Sequence, residues 1–150
     1  MKVCFDTCSV VDILGKSDWF FPAYCAYDVA VMRGFQPCLS VSSTTDICYL
    51  LHARGFLTQS ETRKIMGSLF DLFDLFENTP TDCKRAYQSE MKDYEDALIA
   101  YSAQSAGADI IITRNKRDFK DAPLPALSPE EFLRDFKPDN VKYDEAELFG

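Results

Sequence analysis

The chain has 150 residues, is 47% hydrophobic and carries a net charge of −8 at pH 7. This length fits one domain with a substantial core, and the apolar content excludes a disordered chain. No run of about 18 apolar residues occurs, which excludes a transmembrane helix, and the negative charge argues against a generally basic nucleic-acid-binding surface.

The first apolar run, residues 2–5, reads as a short buried strand. Asp6 follows it and interrupts the run before a signal-peptide core could form, so a cytoplasmic protein is expected. Thr7-Cys8-Ser9 turns into a short helix over residues 10–14, closed by Gly15. Residues 19–32 form a second helix that is aromatic and apolar on most sides (Trp19, Phe20, Phe21, Tyr24, Tyr27). That pattern predicts burial on more than one face or an oligomer contact, and a homodimer is the expected assembly. Residues 37–41 are a second strand candidate. Ser42-Ser43 then caps a helix that reaches about residue 54 and carries Asp46 in its first turn.

Thr58-Gln59-Ser60-Glu61 is a capping-box pattern. It opens a helix to about residue 72, with Ile65, Met66, Leu69, Phe70 and Phe73 on its apolar side. Residues 74–79 are a weaker strand candidate, and Pro80-Thr81 opens a helix to about residue 91. Asp93-Tyr94-Glu95-Asp96 starts a helix that ends at Gly107. The run Ile110-Ile111-Ile112 within residues 109–113 is the clearest strand. A continuous apolar run of this kind suits a parallel sheet covered on both faces. Residues 123–127 contain a last short strand. Ser128-Pro129-Glu130-Glu131 opens a helix to residue 136. Residues 137–150 are acidic and without period, and are expected to be a tail beyond a single domain of residues 1–136. Strands alternating with helices predict an α/β fold with a mainly parallel sheet.

Six cysteines are present. Cys4, Cys25, Cys38 and Cys48 sit in apolar stretches, where free cysteine acts as a small hydrophobe. No CxxC occurs and His52 is the single histidine, so neither disulfides nor a structural zinc site is expected.

Four acids carry the chemistry. In parallel α/β sheets ligands bind beyond the carboxyl ends of the strands. Asp6, Asp46 and Asp118 each follow a strand within a few residues. Asp96 starts a helix whose N-terminus returns to the same edge in a right-handed crossover. The topology therefore gathers four carboxylates, and such a cluster is tolerable only with a cation. Oxygen donors without histidine suit Mg²⁺ or Mn²⁺, and such an ion can activate water against a phosphodiester. Thr113 and Asn115 would be neutral helpers, and Arg114 and Lys116 would contact substrate phosphates. Each acid also has a structural role open to it: Asp6 as a helix cap, Asp46 and the Asp93–Asp96 cluster as dipole-favoured first-turn residues, Asp118 as a loop acid. An aspartyl-nucleophile phosphatase would want a second Asp two residues after Asp6, where Cys8 stands.

The opening Val-Cys-Phe-Asp-Thr-Cys-Ser-Val-Val-Asp-Ile-Leu resembles the start of PIN domains. Asp-Tyr-Glu-Asp-Ala-Leu-Ile-Ala, followed by Ala-Gly-Ala-Asp-Ile-Ile-Ile-Thr-Arg-Asn-Lys-Arg-Asp-Phe, resembles the second half of bacterial PIN domains, VapC-like toxins included. The resemblance spans residues 1–136 and implies a PIN-like fold and a metal-dependent ribonuclease that cleaves RNA. It also implies a dimer and a cognate antitoxin. By position Asp6, Asp46, Asp96 and Asp118 match the family's acids, with Thr7 and Glu95 beside them. Asn115 stands where many members have another Asp, which leaves a catalytically inactive binding module as the alternative.

Overall fold

The structure is a computed structural model that describes residues 1–55 and 57–149. Its centre is a five-stranded sheet in the order β3-β2-β1-β4-β5, with every neighbouring pair parallel. The strands are β1 (Lys2–Phe5), β2 (Gln36–Ser40), β3 (Asp74–Phe76), β4 (Ile110–Ile112) and β5 (Ala126–Leu127). The helices are α1 (Thr7–Gly15), α2 (Phe20–Met32), α3 (Ser43–Gly55), α4 (Gln59–Leu72), α5 (Pro80–Gln88), α6 (Tyr94–Ser105), α7 (Pro129–Phe136) and α8 (Glu145–Phe149). This is the α/β architecture with a parallel sheet that the alternating pattern predicts.

Side chains of the central strands alternate between two cores. Val3, Phe5, Leu39, Ile110 and Ile112 join a cluster with residues of α1, α2, α3, α4 and α7. Cys4, Cys38 and Ile111 point the other way, onto Ala86 of α5 and onto Ala97, Ala100 and Ala103 of α6. A strand buried on both faces needs no polar alternation, which is why the isoleucine run reads as continuous apolar sequence. The alanines let α6 lie close over the sheet. Gly107, at φ 82°, then turns the chain so that Ala108 N–H donates to Ala103 and α6 closes beneath β4.

Several local details depart from the sequence reading. Gly15 ends α1, but the left-handed residue is Lys16, at φ 50°. On α4 only Leu69 and the following Phe73 reach the core fully, while Phe70 is 54% exposed, because this helix covers only one border of the sheet. A 3-10 turn at Lys116–Phe119, not foreseen, follows β4. Residues 137–149, expected as a tail, lie against α2: Tyr143 donates to Asp28 and meets Phe21 edge-on, and Leu148 is buried. A few scattered apolar residues suffice for that docking although they show no period. All six cysteines are free. No described helix is long and apolar enough to cross a membrane.

Candidate metal-binding cleft

β1 and β4 pair at the point where the chain changes direction across the sheet, since β2 and β3 lie to one side and β5 to the other. Crevices form at such points beyond the carboxyl ends of the strands. Asp6 sits there, directly after β1, with its N–H donating to Ile112 of β4. It caps α1, and Thr7 N–H donates to its Oδ1 at 2.7 Å. The Thr113 hydroxyl donates to Oδ2 at 2.9 Å, and Thr113 is itself completely buried. The capping role and a ligand role thus fall on one side chain, with lone pairs left over on both oxygens.

A cleft of about 460 Å³ opens above Asp6. Asp46 from the first turn of α3 and Glu95 and Asp96 from the first turn of α6 line it, together with Thr7 and Asn115. α6 brings its acids there because Asp93 caps it, accepting from Asp96 N–H at 3.0 Å, and leaves Asp96 to project into the opening. Burial pushes the Asp6 carboxyl up to about 6, against the hydrogen bonds from Thr113 and Thr7 and the nearby Arg114, with Asp118 adding to the rise. Burial also raises Asp96 to about 7, reinforced by the negative charges of Asp6, Asp93, Asp118 and Glu95. At the outer rim Asp46 is the main cause of a raised Glu95.

Asp6, Asp46 and Asp96 therefore share one cleft, as the topology predicted. Asp118 does not line it. The 3-10 turn carries Asp118 into an adjoining hollow with Asp93, Arg117 and Lys120, from which it acts on Asp6 and Asp96 by charge. Asn115 does line the cleft, with its N–H on Thr113 Oγ1 and its amide 3.5 Å from Cys8 Sγ. Burial and the neighbouring Asp6 raise the proton affinity of the Cys8 thiol, which disfavours the nucleophilic thiolate. His52 bonds Leu57 and stands outside the cleft.

The two cations expected at substrate phosphates are engaged elsewhere. Arg114 makes a 2.8 Å ion pair with Asp12 and lies over the Trp19 ring at 4.3 Å. Lys116 pairs with Glu131 at 2.7 Å. Asp12 is 102 residues from Arg114, and sequence spacing carries no sign of the pair. Ser43, read from the sequence only as a helix cap, receives the Thr7 hydroxyl at 2.8 Å and so ties α1 to α3 beside the cleft. Sequence reasoning missed Asn78, which joins Ser42 N–H, Ser40 and Ser102.

Carboxylates with amide and hydroxyl oxygens, and no imidazole, fit a hard divalent cation in kind. The fit is one of donor chemistry: among the described residues no three acids, histidines or cysteines stand as a ready-made ligand set. Like charges held apart in a partly dry cleft, with raised proton affinity, are sites where a cation would lower the energy.

The fold and this edge define an α/β domain with an acidic cleft at its switch point. Residues 2–117 match the PIN domain family, and the chain belongs to that family. Solved structures share the fold. One is VapBC2 from Rickettsia felis bound to a promoter DNA fragment, at 14% identity and TM-score 0.69, covering 85% of this chain and 98% of that one. Another is a toxin–antitoxin complex from Klebsiella pneumoniae, at 20% identity and TM-score 0.60, covering 85% and 97%. A third is VapBC-1 from nontypeable Haemophilus influenzae, at 15% identity and TM-score 0.63, covering 86% and 98%. No curated protein matches the sequence significantly.

Proposed function

We propose that this PIN domain is a metal-dependent endoribonuclease. The observation that carries the reading is the pairing of Asp6 and Asp96 in one cleft, where burial and the charge of Asp6 raise the proton affinity of Asp96, at the edge where parallel sheets place their ligands. Asp6 and Asp96 would hold Mg²⁺ or Mn²⁺, with Asp46 and Glu95 lining the same cleft. When bound, the ion supplies charge stabilisation to a phosphodiester displacement and lowers the pKa of water. Thr7 and Thr113 hold the Asp6 carboxylate in one orientation. Asp96, near 7, is able to hold or release a proton at neutral pH. Asn115 presents a neutral amide where a further carboxylate would add repulsion, and Asp118 adds negative potential from outside the cleft.

The test is RNA cleavage with Mn²⁺ by the wild type and by Asp6→Asn. Unchanged cleavage in the variant overturns the assignment. A second reading has one observation behind it: Asn115 directs its amide toward Cys8 and supplies no charge, as a PIN-like binding module without catalysis would. Calorimetry with Mn²⁺ separates the two, because the module binds no metal there.

We further propose an antitoxin as partner. The support is that solved structures of this fold are toxin–antitoxin complexes. A small neighbouring reading frame whose product co-purifies with this chain and blocks cleavage is the expected outcome; a neighbourhood without one removes the toxin role.

A further inference from the structure

A second hollow, of about 410 Å³, adjoins the acidic cleft, and Leu50 lines both. Its walls carry the opposite charge. Lys16, Arg54 and Arg114 face Asp12 as the single acid, in a chain whose net charge is −8. Arg114 is held by Asp12, whereas Lys16 and Arg54 are exposed and, among the described residues, form no ion pair. Trp19 completes the wall and keeps 51% exposure with the Arg114 guanidinium over its ring. Lys16 owes its place to the left-handed turn that ends α1, and Arg54 to the last turn of α3. Neither position is needed to build the acidic cleft.

We propose that this groove is the subsite for the single-stranded RNA flanking the cut. One base stacks on the Trp19–Arg114 platform, and Lys16 and Arg54 neutralise the phosphates on either side. Aromatic rings take any base by stacking, and lysine and arginine follow the backbone without reading sequence. The groove supplies the positive surface that the composition lacks overall, and it adjoins the acidic cleft across Leu50. The assignment rests on the nuclease reading for the cut itself, but its binding step is measurable without cleavage.

Trp19 is the only tryptophan, so its fluorescence reports this groove alone. The probe is a 2′-O-methyl oligonucleotide of about 12 nucleotides, which cannot be cleaved. Saturable quenching that weakens with salt is expected, and roughly tenfold weaker affinity in Lys16→Gly/Arg54→Gln. Glycine at 16 suits the positive φ, so that change removes charge without strain. In cleavage, a substrate of about 12 nucleotides holds a lower KM than a trinucleotide; the double variant and Trp19→Ala lose that advantage, and Trp19→Phe retains most of it. Cleavage without quenching, or a length advantage indifferent to these substitutions, overturns the groove and leaves the nuclease standing. Quenching without cleavage by the wild type supports the groove and overturns the nuclease. Quenching by a partner protein but not by RNA assigns the groove to that protein and overturns the proposal.

Discussion

The two hollows on either side of Leu50 share walls from α1 and α3, yet they solve opposite electrostatic problems. In the acidic cleft the carboxylates come from separate segments and are partly dried: burial raises the proton affinity of Asp6 and Asp96, and neighbouring negative charges add to it. In the basic groove the one buried acid, Asp12, is matched by Arg114 within hydrogen-bond reach, and the remaining cations stay in solvent. Arg114 lies close enough to lower Asp6 while belonging to the other hollow. The contrast teaches that the buried charge of the groove is settled within the chain, whereas the buried charge of the cleft waits for something from outside it.

The hardest way to break this contrast is to neutralise the deepest acid. Asp6→Asn keeps a good helix cap and can still accept from Thr113. Cleavage should fall roughly 10³-fold, while the melting temperature at neutral pH without metal should rise, because a desolvated charge is gone. A fall in both would mean that Asp6 serves the fold alone.

The next largest effect is a coupling of metal to pH. Asp6 and Asp96 bind protons more tightly folded than unfolded, so the folded state holds the extra protons between about pH 4 and 7. Their contribution to stability is therefore lost as pH rises through that window. For Asp6, moving from 3.8 to about 6 is worth on the order of 3 kcal/mol. Thermal melts without metal should show lower stability at about pH 8 than at about pH 5, and Mn²⁺ should restore more of it at the higher value. Equal Mn²⁺ shifts at both would place the ion away from these carboxylates.

A smaller effect separates the cleft from its surroundings. Asp118→Asn should reduce cleavage only roughly tenfold, because Asp118 acts from the next hollow. A loss as large as that of Asp6→Asn would show that the turn moves it into the cleft during turnover. The smallest effect concerns salt. Removing Lys16 and Arg54 should lessen the slope of log KM on log salt by about 1.4 and leave metal affinity alone. A change in metal affinity would join the hollows into one site.

Much of this was legible because the signals are local. The stop after β1, the Asp93 cap, the Gly107 turn and the isoleucine run are each written within a few residues, and the parallel topology does the rest for Asp6, Asp46 and Asp96. The 3-10 turn at Lys116–Phe119 is not written in the sequence pattern, and it puts Asp118 beside Asp93, Arg117 and Lys120 rather than among the residues that line the cleft. Arg114 and Lys116 looked available because their partners are remote: Asp12 is 102 residues away and Glu131 lies across the β5–α7 connection.

The order of strands and helices, the two-faced burial of the sheet and the edge at which carboxylates gather are properties of the chain read in one dimension, since periodicity, caps and crossover handedness are short-range rules. Which acids share a cavity, which cations are already paired and where a lone tryptophan comes to rest beside them are decided only when distant segments pack. Those outcomes depend on distances of a few ångströms between side chains, and no spacing along a chain encodes such distances.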